Sequence, residues 1–219
     1  MALRDVNALL QSLTPGTNEI AWRLTNPRGA HALAVGITAP ALVSIEGPVG
    51  YYCAGMNNGA TIDIFGNAGT GVAENMMSGI VHVHGDASQA AGATGHGGLL
   101  IIEGNAAARC GISMKGIDIV VKGSVGHMSG FMAQSGNLVV LGDAGEALGD
   151  SLYEARIFVR GAVASLGADC EAQEMTPEAR AGLTALLRDA GCNAAPDEFQ
   201  LYGSARRLYH FHVDHAGAY

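Results

Sequence analysis

The sequence predicts an all-β fold: a single-stranded, right-handed parallel β-helix of about seven coils, with a short N-terminal helix and a helical C-terminal extension. Three observations predict it: a glycine at every nineteenth residue, aliphatic residues before each of these glycines, and small residues after it. A fixed period of this length is typical of stacked-repeat proteins. The repeat glycines are Gly47, Gly66, Gly85, Gly104, Gly123, Gly142 and Gly161.

The residues around each repeat glycine describe one coil. Four and two positions before it the residue is aliphatic, from Val43 and Ile45 in the first repeat to Ile157 and Val159 in the last. Alternating, often β-branched residues of this kind predict a short strand with one buried face. Three and seven positions after the glycine the residue is small, which suits corners where the backbone turns and neighbouring coils stack.

The length of the period separates this solenoid from its alternatives. One period is too short for the two helices of a helical repeat, and a left-handed hexapeptide helix would have coils of about 18 residues with an aliphatic residue at every sixth position. The chain lacks that pattern. We therefore expect a right-handed parallel β-helix with two or three short strands per coil, on the order of 30 Å long at ~4.8 Å per layer.

The sequence divides into three regions: an N-terminal helix and cap (residues 1–40), the β-helix (41–168), and a C-terminal helix and docking tail (169–219). In the first region, residues 5–13 predict a short helix with Asp5 as the candidate N-cap, and residues 20–24 predict a strand.

The C-terminal region predicts a second helix and a tail that packs. Thr176 is the expected N-cap, followed by Pro177, and the helix is expected to run to about Ala190 and to be closed by Gly191. The tail, residues 199–219, is rich in tyrosine, phenylalanine and histidine. We expect it to pack back on the rod or to reach into a neighbouring chain.

Outward positions of the main strand predict an interface. Three residues before the repeat glycine, the outward residue is polar in the first coils and apolar in the last four. An exposed apolar stripe of this kind needs a cover, either the C-terminal segment or a partner protein. With the tail, the candidate interface residues are Ile101, Val120, Val139, Phe158, Tyr209, His210, Phe211, His212 and Tyr219.

Composition limits the partners and the location. The formal net charge is −8, and no basic cluster is longer than Arg206 and Arg207, so we expect no nucleic-acid partner. No apolar run is long enough to span a bilayer, and residues 1–5 lack the features of a signal peptide, so we expect a cytoplasmic protein without a membrane partner. Cys53 and Cys110 lie three coils, roughly 14 Å, apart, which is too far for a disulfide.

The sequence alone predicts no catalytic, cofactor-binding or metal-binding residue in this chain. His82 and His84 form an H-x-H pair on one strand face, which can bind a metal, but we interpret them as isolated surface or interface residues. We interpret His210, His212 and His215 in the same way, as interface packing. The residue chemistry is therefore that of a scaffold or interaction module.

The repeat resembles a known family. Its G-x-x-G-x-x-x-G motif, intact at residues 123–130 and 142–149, resembles the GXGXG β-helix family, which includes the C-terminal domain of the glutamate synthase large chain and one of the subunits of formylmethanofuran dehydrogenase. Further segments are similar to the β-helix subunit family of N-methylglutamate synthases, also called methylamine–glutamate N-methyltransferases. These segments are residues 50–60, 72–86, 108–133, 145–162 and 202–219.

The resemblance implies a subunit of a larger enzyme. Its partners would be a class-II glutamine amidotransferase-like subunit and an FMN-containing glutamate synthase-like subunit, with FMN and an iron–sulfur cluster held by a partner. The overall reaction would convert methylamine and L-glutamate to N-methyl-L-glutamate and ammonia. The β-helix itself would be non-catalytic and would hold the other subunits around an ammonia path.

Two alternatives stay open. The chain could serve a formylmethanofuran dehydrogenase or formyltransferase-type complex, or it could be a stand-alone carbohydrate-active β-helix enzyme. The second would need carboxylates clustered along a groove. The outward row next to the repeat glycines, which includes Glu46, His84, Glu103 and Lys122, shows no adjacent carboxylates.

Overall fold

The computed structural model describes residues 1–16 and 21–206, which fold as a parallel β-solenoid. Each coil contributes one strand to a continuous sheet, and eight strands pair in parallel in chain order. The predicted β-helix, with a helix near each end, is confirmed. The eight strands are β1 (Ala21–Thr25), β2 (Leu42–Glu46), β3 (Asn58–Ile64), β4 (Ser78–Val83), β5 (Leu99–Ile102), β6 (Lys115–Val121), β7 (Ser135–Val140) and β8 (Arg156–Val159).

Neighbouring strands are in register, so each coil position stacks on the same position of the next coil. Val43 pairs with Ile62, and Ile62 pairs with Val81. The aliphatic side chains at these inward positions are buried and form a continuous column along the rod. Since burying one such side chain stabilises by ~1.5–3 kcal/mol, this column is the main source of stability.

The sheet begins one coil before the glycine series. On β1, Trp22 pairs with Val43 and Leu24 pairs with Ile45. The strand predicted at residues 20–24 is therefore the first strand of the sheet, although Ile20 lies outside the described residues.

The rest of each coil contains no second long strand within residues 21–206. Two positions after each repeat glycine, a single-residue bridge joins adjacent coils, as between Val49 and Ala68. Further on, the backbone takes positive φ at alternate residues, for example Ala73 at 58° and Asn75 at 54°. Their amides bond in opposite directions, Ala73 to the preceding coil and Asn75 to the following one. In place of the expected two or three strands, each coil thus has one strand, one single-residue bridge and a segment in which alternate residues have positive φ.

Small size seven positions after the repeat glycine has a specific cause. In the first six coils of the glycine series the residue there combines positive φ with a buried position, and at Gly92 φ is 68°. An added Cβ would lie 2.5 Å from Cδ1 of Ile119, inside the core. The predicted corner is therefore a position where both backbone conformation and space require a small residue.

From Gly66 onwards, each repeat glycine lies against the backbone of the preceding coil. A Cβ at Gly66 would lie 2.6 Å from the carbonyl carbon of Gly47. From Gly85 onwards, the space left by the missing side chain is filled by a polar side chain from the residue after the preceding glycine. Asn67 Oδ1 accepts from the Asp86 amide at 2.9 Å, and Asp86 Oδ1 accepts from the Asn105 amide at 2.7 Å. We call this series the polar ladder; its members are Asn67, Asp86, Asn105, Ser124 and Asp143.

Helix α1 (Leu3–Gln11) covers the coil of β1, which precedes the glycine series. Leu10 is buried in the main core, and the Asn7 side chain donates to Ala32 O at 2.7 Å and accepts from Ala34 N at 2.9 Å. The helix begins two residues before the predicted start, with Ala2 at the N-cap. The assignment of Asp5 as N-cap is therefore wrong. Asp5 lies in the first turn, where its negative charge interacts favourably with the helix dipole.

Helix α2 (Pro177–Asp189) confirms the predicted C-terminal helix. Thr176 Oγ1 accepts from the Ala179 amide at 3.1 Å, and Gly191 has a φ of 64° just after the end. Two short strands follow the parallel ladder. β10 (Gln200–Ser204) pairs antiparallel with β8 on one side and with β9 (Cys170–Gln173) on the other. The first part of the tail therefore packs back on the rod.

Helix α2 covers the apolar outward stripe. Ile101, Val120, Val139 and Phe158 are at most 5% exposed and form a second core with α2 and the start of the tail. These four residues were predicted as a candidate interface. They form an internal contact instead, because the C-terminal segment of the same chain covers them. The other candidate interface residues, Tyr209, His210, Phe211, His212 and Tyr219, lie outside the described residues.

All four cysteines are free thiols. Burial raises the pKa of Cys53 and that of Cys110 to about 12, so these thiols stay neutral core residues. Within residues 1–16 and 21–206, no helix is long and apolar enough to cross a membrane.

Candidate functional site

A group of charged and aromatic side chains lies on the outward face of the main sheet, next to the region covered by α2. Asp63 is on β3, His82 is on β4, and His84, Glu103 and Lys122 each directly precede a repeat glycine. Because coils stack in register at ~4.8 Å, residues far apart in sequence become nearest neighbours. We call these five residues the histidine–carboxylate cluster.

One oxygen of Asp63 faces both imidazole rings. Asp63 Oδ1 lies 3.0 Å from His84 Nε2 and 3.5 Å from His82 Nδ1. The two rings are themselves adjacent, with centroids 4.0 Å apart and planes inclined by 32°. One carboxylate oxygen and one nitrogen from each ring therefore converge on one point, within 4.8 Å of one another.

The second nitrogen of His82 is held from the other side. His82 Nε2 lies 2.7 Å from Glu103 Oε1, and Lys122 Nζ lies 2.7 Å from the same oxygen. Burial raises the pKa of Glu103, but hydrogen bonds and charge from Lys122 and His82 outweigh it and hold the pKa below its ordinary value. Glu103 is thus a charged acceptor at neutral pH, so His82 donates through Nε2 and turns Nδ1 towards Asp63.

Aromatic contact fixes the other ring. Phe65 and His84 stack with centroids 4.3 Å apart and planes inclined by 13°. Phe65 precedes Gly66 just as His84 precedes Gly85, so the stack follows from the coil period. The cluster side chains are about a quarter to a third exposed, which leaves the convergence point open to solvent.

The interpretation of His82 and His84 as isolated residues is wrong. Both contact carboxylates from neighbouring coils, Asp63 and Glu103. The signal was present in the two outward rows, where one period separates Asp63 from His82 and His84 from Glu103. It becomes visible when the rows are read across coils rather than along each strand.

Comparison with known proteins places the chain in a family. No family model matches it. Protein GlxC of Rhizobium meliloti (strain 1021) is 64% identical over 218 residues, which is 99% of this chain and 96% of the relative. The chain belongs to the GlxC family. No solved structure matches.

This GlxC-family chain also exposes large apolar side chains in the first coil of the glycine series, in the part that follows Gly47. Tyr51, Tyr52 and Met56 are each about half exposed, and together they form what we call the first-coil patch. Tyr52 and Met56 have φ of 61° and 56°. Left-handed backbone costs roughly 1–2 kcal/mol for residues of this kind, so bulky side chains here are held at an energetic cost.

The first-coil patch has a defined shape. The Tyr51 ring packs on His31 with centroids 4.5 Å apart and meets Tyr52 edge-on at 6.4 Å. The Tyr51 amide donates to His31 Nδ1 at 2.8 Å, which fixes this ring pair to the backbone. Ordered aromatic side chains exposed together are typical of protein contact sites.

Proposed function

We propose that the chain is a β-helix subunit that holds together an FMN-dependent, glutamate synthase-like complex, and that this complex is an N-methylglutamate synthase. Its partners are a class-II glutamine amidotransferase-like subunit and an FMN glutamate synthase-like subunit. FMN and the iron–sulfur cluster belong to a partner, and the overall reaction joins methylamine to L-glutamate with release of ammonia.

The exposed first-coil patch is the main support for the scaffold role. It lies in residues 50–60, one of the segments that carry the resemblance to N-methylglutamate synthases. Tyr52 and Met56 keep large exposed side chains on left-handed backbone, where Gly71 and Asn75 occupy the same positions one coil later. A partner surface that buries these side chains would repay their conformational cost.

The solenoid also supports a scaffold role through its rigidity. Inward positions form a continuous core, and repeat glycines and the polar ladder tie each coil to the next. Such a rod presents fixed outward positions over several coils, and this suits the positioning of two larger proteins on one axis.

Co-purification tests the complex. The full chain, co-expressed with an amidotransferase-like protein and an FMN glutamate synthase-like protein, is expected to elute with them as one species with flavin absorbance. The complex is expected to form N-methylglutamate from methylamine and glutamate. A chain that elutes alone under these conditions contradicts the scaffold role, whereas a complex that uses ammonia but not methylamine contradicts the reaction.

A matched pair of variants tests the first-coil patch. Tyr52→Gly removes the ring while glycine tolerates the positive φ, so folding is retained and binding of partners is expected to weaken at least tenfold. Met132→Gly is the control, since Met132 has a φ of 52° and is 40% exposed on another coil. If the two variants bind the partner subunits with equal affinity, the patch is not part of the interface.

A further inference from the structure

We propose that Asp63, His82 and His84 form a binding site for a divalent transition-metal ion on the outward face of the solenoid. The site stands apart from the scaffold role, because it lies on the main sheet rather than on the first-coil patch. Two imidazole nitrogens and one carboxylate oxygen form a ligand set that suits Zn²⁺, Fe²⁺, Co²⁺ or Ni²⁺ better than Mg²⁺ or Ca²⁺.

The distances fit such an ion. In tetrahedral zinc sites metal–ligand bonds of ~2.0–2.1 Å place the ligand atoms roughly 3.3 Å from one another. Asp63 Oδ1 lies 3.0 Å from His84 Nε2 and 3.5 Å from His82 Nδ1, on either side of that value. All three atoms lie within 4.8 Å of one another, so small side-chain rotations complete the geometry.

The contact between His82 and Glu103 is of the kind that supports a metal-bound histidine through its second ring nitrogen. His82 uses Nδ1 towards the convergence point, while its Nε2 lies 2.7 Å from Glu103 Oε1. A carboxylate that accepts from the second nitrogen fixes the tautomer and raises the basicity of a ligand histidine. Lys122 holds Glu103 in turn at 2.7 Å, so the supporting carboxylate is itself positioned.

The scaffold positions the ligands before any ion binds. Asp63 and His82 are paired neighbours on β3 and β4, and His84 follows two residues later on the same face. Stacking of His84 on Phe65 restricts the orientation of its ring. Sites built on paired strands are more precise than sites on loops, which favours binding by only three protein groups.

Three protein ligands leave at least one position on the ion for water or for an oxygen or nitrogen donor from another molecule. His82 and His84 are 23% and 30% exposed, so a small ligand can reach this position. This site stands against the expectation, drawn from the sequence alone, that the chain has no metal-binding residue.

Equilibrium dialysis of the full chain against ZnCl₂, with metal quantified by mass spectrometry, tests the site. One equivalent per chain is expected, and Co²⁺ in place of Zn²⁺ is expected to give visible absorption bands of low-symmetry coordination. His84→Ala and Asp63→Asn should each lower affinity more than about 100-fold, since loss of a ligand exceeds the 10–100-fold cost of losing a supporting contact. Far-UV circular dichroism checks that each variant is folded.

Two further variants separate this site from other metal-binding groups. Glu103→Gln is expected to keep one equivalent but to weaken binding about 10–100-fold, as a positioning residue should. His127→Ala removes an exposed histidine outside the cluster and should leave binding unchanged. If His84→Ala and His127→Ala bind Zn²⁺ equally well, the ion is held elsewhere and the proposal is wrong. Zn²⁺ should also raise the melting temperature of the wild-type chain but not that of His84→Ala.

Discussion

The repeat glycines act at the scale of single contacts between coils. At Gly104 an added Cβ would lie 2.2 Å from Asp86 Oδ1 and 3.0 Å from Gly85 O. That Asp86 oxygen is the same atom that accepts from the Asn105 amide. The glycine therefore makes room both for the neighbouring backbone and for a hydrogen bond that links two coils.

Gly104→Ala is expected to destabilise the chain by about 1–3 kcal/mol, because the methyl group displaces the Asp86 side chain and overpacks the contact. The free energy of unfolding in urea measures this. Gly182→Ala is the matched control: Gly182 is exposed on α2, and an added Cβ meets nothing within 4 Å. It should stabilise by about 0.4–1 kcal/mol. Equal effects of the two changes would show that the glycine contact does not limit stability.

For single residues, the sequence predicts which positions are special better than it predicts the contacts that make them so. The period of glycines such as Gly85 and Gly104 is plain, but the polar ladder is not, since Asn, Asp and Ser share only a short side chain with an acceptor oxygen. The histidine–carboxylate cluster is harder still. Predicting it requires the register of neighbouring coils and also the side-chain rotations that turn His82 towards both Asp63 and Glu103.

Helix α2 acts at the scale of the element, as the cover of one sheet face. Its Leu183 is fully buried against the outward stripe that contains Val120 and Val139. The sequence predicts the helix from Thr176 and Pro177, and the stripe from the coil period. It does not predict that the two meet, because the choice between a cover from the same chain and a partner depends on the path of residues 169–176.

Leu183→Ala is expected to lower the free energy of unfolding by about 2–5 kcal/mol, because it leaves a cavity in the second core. Thr184→Ala, at the next and exposed position of the helix, should change it by less than about 0.5 kcal/mol. Urea unfolding followed by circular dichroism measures both. If Leu183→Ala matches Thr184→Ala, the helix does not stay packed on the sheet in solution.

The whole molecule is a one-dimensional stack with different ends. The coil of β1 is covered by α1 through Asn7 and Leu10, and the last coil is covered by the antiparallel strands β9 and β10. Between these covers, each strand contacts chiefly its two neighbours in the ladder. In such a stack stability is close to a sum of coil terms and nearest-neighbour terms.

Deletion of one whole coil tests this description. Removing residues 67–85 joins Gly66 to Asp86, so every later residue keeps its coil position and both ends keep their covers. The shortened chain is expected to stay folded and to unfold cooperatively, with a urea m-value lower by roughly a tenth, in proportion to the surface lost. Removing residues 67–75 deletes fewer residues but leaves a coil too short to pass around the core, and this chain should lose its cooperative transition. The smaller deletion is therefore expected to be the more damaging one, and the opposite order would mean that contacts across several coils, rather than stacking of neighbours, hold the rod together.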